Sequence, residues 1–140
     1  MRLIVAFLLS CLAASALAQA KVDCGVEKDP LACFTTQSRV AYIDCRLQVE
    51  LNVAKKQDLV GATACVNDLK RQMEPFYQKA IARVKKTGLA SIVKDYYAFW
   101  QASMAVIPPR SGETERVWRA RLDERADALV ERSNRIALER

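Results

Sequence analysis

Apolar residues recur every three or four positions along most of this chain, which is the spacing of one face of an α-helix. Glycine is scarce, with 4 in 140 residues, and clusters of turn-forming residues are few. Both features favour helices over strands. The pattern predicts four helices, at about 31–54, 58–86, 89–106 and 114–138. We therefore expect an all-α domain of four helices.

The first predicted helix is apolar on two nearly opposite faces. One face is formed by Val40, Ile43, Leu47, Leu51 and Ala54. The other is formed by Tyr42, Cys45, Val49 and Val53. A helix with two apolar faces is usually packed between neighbours. The pattern therefore predicts that both faces are buried and that this helix lies at the centre of the domain.

Local signals support these helices. Asp29 followed by Pro30 is a helix start, because an Asp side chain caps free N–H groups and proline suits the first helical position. The best candidate for the turn after the first helix is 55–58. Pro75 lies in phase with the second helix, so we expect it to kink that helix rather than end it.

The N-terminus has the organisation of an export signal. Arg2 precedes an apolar run over 3–12, and a stretch of small residues then offers two cleavage options, Ala-Leu-Ala and Ala-Gln-Ala, within 16–20. We predict that 1–20 are removed and that 21–140 fold as a single domain, periplasmic or secreted. No transmembrane helix is expected after cleavage.

Export places the mature chain in an oxidising compartment, where cysteines form disulfides. Four cysteines follow the signal, which allows three pairings: Cys24, Cys33, Cys45 and Cys65. Cys45 and Cys65 are each ten residues from position 55, and residues equidistant from the turn of an antiparallel hairpin lie opposite each other. Pairing Cys33 with Cys45 would span about 18 Å along one helix, more than a disulfide reaches. We predict the bridges Cys45–Cys65 and Cys24–Cys33, hence a small four-helix domain built on a disulfide-tied antiparallel hairpin.

The chain contains no histidine, which removes the commonest general base and the commonest zinc ligand. The cysteine spacing matches neither a Cys-x-x-Cys redox pair nor a zinc site. We therefore expect no catalytic residues, no metal and no cofactor. An enzyme that uses carboxylate or tyrosine chemistry is the alternative.

The net charge is +6 at pH 7. Basic residues crowd the end of the second predicted helix, where they form a candidate binding surface: Lys79, Arg83, Lys85 and Lys86. Tyr97, at the edge of the apolar stripe of the third helix, is a further candidate. Such charges are most often solvated helix surface. They give weak support to a membrane surface as partner, and export disfavours nucleic acid.

The densest aromatic cluster is formed by Tyr96, Tyr97, Phe99 and Trp100. All but Tyr97 lie on the apolar stripe of the third helix and are expected in the core. We predict a non-catalytic binding protein that contacts another envelope or secreted protein, such as an inhibitor, immunity protein or envelope adaptor. The alternative is a carrier that holds a small apolar ligand between helices beside this cluster. An exposed apolar patch of a few hundred Å² would favour the binding protein, and an enclosed cavity would favour the carrier.

Overall fold

The computed structural model of the protein describes residues 23–25, 27–56 and 60–140. Within them the secondary structure comprises four helices and no strand: α1 (Pro30–Ala54), α2 (Val60–Arg83), α3 (Thr87–Ala105) and α4 (Glu115–Glu139). The prediction of an all-α, four-helix fold is confirmed. The predicted signal, 1–20, and positions 57 and 58 of the predicted turn lie outside the described residues.

The start of α1 is capped by a side chain. Asp29 Oδ1 accepts a hydrogen bond of 2.9 Å from the backbone N–H of Leu31, and Pro30 occupies the first helical turn. The Thr114 hydroxyl similarly accepts a hydrogen bond from Val117 at the start of α4. These caps satisfy N–H groups that have no partner within the helix.

The second helix runs through Pro75, although proline has no backbone N–H to donate. It ends at Arg83, earlier than the pattern predicted. The third helix begins sooner than predicted, at Thr87, because Lys86 already has the extended backbone of a residue that precedes a helix. A short link, 84–86, therefore separates α2 from α3.

The first helix contacts each of the other three. Phe34, near the start of α1, packs against Tyr77 in the second half of α2. Further along α1, Cys45 is bonded to Cys65 near the start of α2. The two helices therefore run in opposite directions. On its α4 side, α1 is held by the Tyr42 hydroxyl, which donates a buried hydrogen bond of 3.0 Å to a backbone carbonyl of α4.

Both predicted disulfides are present. The Cα atoms of Cys24 and Cys33 are 5.4 Å apart, and those of Cys45 and Cys65 are 5.8 Å apart. The first bond ties the segment before α1 to its first turns, and the second joins α1 to α2.

The core contains large aromatic side chains whose polar atoms have partners. Trp100 Nε1 donates to the carbonyl of Ser38 at 2.7 Å, and Trp118 Nε1 donates to the carbonyl of Ile107 at 2.8 Å. The Tyr96 hydroxyl is 2.6 Å from the Ser38 hydroxyl. Because a buried polar atom without a partner is costly, these bonds fix how α3 and α4 sit against their neighbours.

Only one of the two apolar faces of α1 is buried. Three residues of one face are 0% exposed: Tyr42, Cys45 and Val49. On the other face the exposed fractions are 43% for Val40, 47% for Ile43, 50% for Leu47 and 57% for Leu51, and Ala54 is also exposed. The prediction that both faces are buried was wrong. Three neighbouring helices contact α1, but they leave its outer side uncovered.

Candidate binding surfaces

Four exposed aliphatic side chains form a continuous row along the outer side of α1, which we call the α1 stripe: Val40, Ile43, Leu47 and Leu51. Residues three or four apart on a helix are surface neighbours, so each member adjoins the next. The stripe extends over roughly 16 Å at the rise of an α-helix. It exposes on the order of 300 Å² of apolar side chain, the size of the largest apolar patch on many monomers and one often used in binding.

Ion pairs between α1 and α4 fix one edge of the stripe. Arg46 contacts Glu50 at 2.6 Å and Asp123 of α4 at 2.6 Å. Glu50 also contacts Arg119 of α4 at 3.1 Å. Burial alone would lower the pKa of the Arg46 guanidinium, but its hydrogen bonds to Glu50 and Asp123 raise it above its ordinary value. These charges neutralise one another, so they leave little net charge beside the stripe.

The remaining charges around the stripe are mainly positive. Lys55 and Lys56 follow its C-terminal end, are exposed and form no ion pair with any residue that the structure describes. Lys56 has a φ of 53°, a left-handed conformation that ends the helix and turns the chain away. Asp44 is half-buried at the other edge of the stripe. The stripe thus has a neutral flank along α4 and a cationic end.

Three of the four basic residues that the sequence singled out lie together at the opposite end of the molecule. Arg83, Lys85 and Lys86 line a surface pocket of about 280 Å³, which we call the corner pocket. The start of α1, the end of α2, the start of α3 and the end of α4 meet there, and its other lining residues are Asp29, Leu31, Val84, Leu89 and Arg140. Lys79 instead lines a separate pocket of about 110 Å³ beside the Cys24–Cys33 bond.

The cations of the corner pocket differ in their partners. Lys86 Nζ donates to the backbone oxygens of Glu139 and Arg140, at 3.5 and 3.3 Å. Arg140 also forms an ion pair with Asp29. Arg83 and Lys85 are exposed and have no ion pair within the described part of the chain. Two cations at this pocket therefore have no acidic partner among the described residues.

The start of α3 brings a partial positive charge to the corner pocket. No side chain caps this helix, and its first turn holds no acidic residue. The N-terminal end of a helix carries a partial positive charge that an acidic side chain would otherwise offset. The ends of α2 and α4 also meet at this pocket and carry partial negative charge, so its positive charge comes from the side chains.

Tyr97, the further candidate for a binding surface, is buried rather than exposed as its place at the edge of the stripe suggested. Its exposed fraction is 6%, and its hydroxyl donates a hydrogen bond of 2.5 Å to a carboxylate oxygen of Glu74. The ring stacks on Tyr77 of α2, with centroids 4.1 Å apart. Burial, and then the bond to Glu74, raise the pKa of the Tyr97 hydroxyl above its ordinary value. Packing of α2 against this side of α3 covers a position that the helical pattern placed at an edge.

Aromatic side chains fill the place where the carrier alternative puts a ligand. The Phe34 ring centroid lies 5.7 Å from those of Tyr77, Tyr96 and Tyr97. Tyr97 also stacks on Trp100, at 5.8 Å. Rings at these distances are in direct contact. The rings of this cluster therefore pack directly against one another.

No group of three or more Cys, Asp or Glu side chains among the described residues is arranged to hold a metal ion. Over the same residues, no helix is both long and apolar enough to cross a bilayer. No protein-family model matches the chain, and neither does any curated protein or solved structure. Evidence about function therefore comes from the two surfaces described above.

Proposed function

We propose that this is an exported, non-catalytic binding protein that recognises another envelope or secreted protein through the α1 stripe. The observation that carries the proposal is the exposure of four aliphatic side chains in one row, on a helix that a disulfide and ion pairs hold in place. Covering roughly 300 Å² of apolar surface contributes on the order of 7 kcal/mol before the costs of association are subtracted. Burial of this face by a partner would therefore favour association.

The proposed compartment is the periplasm or the extracellular space, reached by cleavage of the predicted signal, 1–20. The disulfides Cys24–Cys33 and Cys45–Cys65 support it, because such bonds persist in oxidising compartments. In this proposal α1 and α2 form a disulfide-tied antiparallel hairpin, and its outer face is the recognition surface.

The partner that we propose is an amphipathic helix of a second protein, with an acidic group near one end. Members of the stripe are spaced as one row of a helix–helix interface, so another helix can lay its apolar face along them. Lys55 and Lys56 at the end of the stripe favour acidic residues opposite them. Arg46 and Glu50 already pair with each other and with residues of α4, so this flank favours neither acidic nor basic residues in the partner.

A second copy of this chain fits the stripe less well. An antiparallel pairing that sets Val40 against Leu51 has its midpoint near residues 45–46, so Asp44 would approach Asp44 of the other copy. A parallel pairing would instead bring Lys55 and Lys56 close to their own counterparts. Like charges that face each other across an interface disfavour association.

Glu113 is a poor candidate for the carboxylate chemistry that the alternative, an enzyme, would need, because it is paired with Arg121. Hydrogen bonds from Arg121, and then from the backbone of Arg110, lower the pKa of Glu113 to about 2. A carboxylate that acidic is a poor general base near neutral pH.

Site-specific photo-crosslinking in the native envelope tests this proposal. A photo-reactive p-benzoylphenylalanine replaces Leu47 of the stripe, and the matched control places it at Val130, an α4 residue that is 43% exposed. We expect one heterologous protein to be captured from position 47 and not from position 130. The double change Lys55→Glu and Lys56→Glu should reduce that capture several-fold.

Three outcomes would contradict the proposal. Capture that is equal from positions 47 and 130 would mean that the stripe is not selective. An adduct with the mass of two copies of this chain would mean that self-association covers the stripe. Absence of any adduct from position 47 would mean that no protein occupies the stripe.

A further inference from the structure

The corner pocket combines an apolar floor with a cationic rim. Leu31 and Leu89, which are 5% and 8% exposed, line it together with the half-buried Val84. Arg83 and Lys85 stand on either side of Val84 in the chain and also line the pocket. A ligand that enters here meets aliphatic carbon below and positive charge beside it.

The charges leave room for one anionic group. Lys86 is already hydrogen-bonded to backbone oxygens, and Arg140 is paired with Asp29. Arg83 and Lys85 have no ion pair within the described residues. A guanidinium and an ammonium group that are free of acidic partners suit a carboxylate or a phosphate monoester.

The size and shape of the pocket restrict the rest of the ligand. Its volume is about 280 Å³, near the lower end of the roughly 300–1,000 Å³ typical of ligand pockets. That space suits one short aliphatic chain rather than the two chains of a phospholipid.

We propose that the corner pocket binds a single-chain anionic amphiphile, with its head group between Arg83 and Lys85 and its chain on Leu31, Val84 and Leu89. The site is separate from the α1 stripe, because Leu31 precedes Val40 by nine residues, roughly 13 Å along α1. It adds a small-molecule ligand to the proposed protein partner, and neither proposal depends on the other.

Binding of sodium decanoate to the exported protein, with both disulfides formed, tests the inference. Titrations followed by amide chemical shifts should show saturable binding at one site below the micelle concentration. The largest shifts are expected at 83–86 and 89, which line the pocket. Neutral 1-decanol has the aliphatic chain without the negative charge, and inorganic phosphate has negative charge without the chain. Each should bind at least tenfold more weakly than decanoate.

The double variant Arg83→Gln and Lys85→Gln should weaken decanoate binding by about tenfold, because it removes both free cations. Both side chains are exposed, so the fold should be retained, which circular dichroism would verify. The matched control is Lys55→Gln with Lys56→Gln, which removes the same charge at the other end of α1. That control should alter the affinity less than twofold.

Four results would overturn the inference. An equal loss of decanoate affinity in the control variant would show that the effect is general charge attraction. Decanol binding as tight as decanoate binding would leave the cations without a role. Shifts outside the pocket would place the ligand elsewhere. Binding only to vesicles that contain anionic phospholipid, and not to monomeric decanoate, would identify a membrane-docking surface instead.

Discussion

Arg46 of α1 lies 2.6 Å from Asp123 of α4, and through this contact the two helices share one group of charges. Arg46 also contacts Glu50, which in turn contacts Arg119 of α4. The side chains of Arg46 and Glu50 are only 17% and 13% exposed, whereas that of Asp123 is 63% exposed. Water can therefore replace a lost partner more readily at Asp123 than at Arg46 or Glu50.

That difference predicts unequal effects of mutation. Arg46→Met should lower the free energy of unfolding by about 1–3 kcal/mol, because it leaves the carboxylate of Glu50 half-compensated in a mostly buried position. Asp123→Asn should lower it by less than about 1 kcal/mol, since Asp123 is accessible to solvent. Urea denaturation of the oxidised protein measures both.

A matched control for these variants is Arg71→Met, which removes the exposed ion pair between Arg71 and Asp68 on α2. Its effect on the free energy of unfolding should be close to zero. A loss from Arg71→Met as large as that from Arg46→Met would show that burial of the network has no energetic consequence.

The two disulfides should stabilise the protein to similar extents. They close loops with sequence separations of 9 and 20 residues. Loop-closure entropy assigns each about 3 kcal/mol, slightly more to Cys45–Cys65. Replacing Cys45 and Cys65 by Ala should cost slightly more than replacing Cys24 and Cys33, because the loop that they close is longer.

Denaturant titrations of the two double variants, with and without reductant, measure these contributions. Peptide mapping without reduction checks the pairing independently. A peptide that links Cys24 to Cys65 would contradict both the pairing and the arrangement of α1 against α2.

Features that depend on the geometry of one helix or one turn could be predicted from the sequence. Asp29 and Pro30 mark the start of α1 because capping involves only neighbouring residues. The pairing of Cys45 with Cys65 follows from their equal distances from one turn. In both cases the geometry of one helix or one turn determines which groups meet.

Features that depend on how many helices surround a given one could not be predicted. The periodicity of α1 identifies two apolar faces, but both faces have the same period, and only packing decides which is covered. Tyr97 was misplaced for the same reason, because α2 covers an edge of α3 that the pattern leaves undefined. The corner pocket joins Leu31, Val84 and Leu89 from three parts of the chain, which no local pattern connects.

The exposure of the α1 stripe predicts a contrast between two identical substitutions. Leu47 is 50% exposed on α1, and Leu122 is 0% exposed on α4. Leu122→Ala should lower the free energy of unfolding by about 2–5 kcal/mol, because it leaves a cavity in the core. Leu47→Ala should change it by less than about 1 kcal/mol, yet should weaken binding of the proposed partner. Thermal or chemical denaturation compares the two.

A large loss of stability from Leu47→Ala would mean that the stripe is covered within the folded chain, and the proposed recognition surface would then be lost. Val117→Ala is the surface control, because Val117 is an exposed apolar residue of α4 outside the stripe. It should leave both stability and partner binding unchanged.

All four tyrosines should resist ionisation in the folded protein. Burial raises the pKa of Tyr42 and of Tyr96 to about 12, from an ordinary value of 10.0. The pKa values of Tyr77 and Tyr97 are also raised, first by burial and then by the nearby Glu74 carboxylate. Ultraviolet titration should therefore show little phenolate at pH 10 in the folded protein, and about half-ionised tyrosines in urea.

The same shifts predict how stability depends on alkaline pH. Because the folded pKa exceeds the unfolded pKa, the unfolded state loses its protons first as the pH rises. The stabilising contribution is complete below pH 10 and is lost as the pH rises towards 12. Tyr96→Phe removes one of these groups, so its stability should fall less steeply over that range than that of the wild type. Four tyrosines that titrate near pH 10 in the folded protein would contradict their burial between the helices.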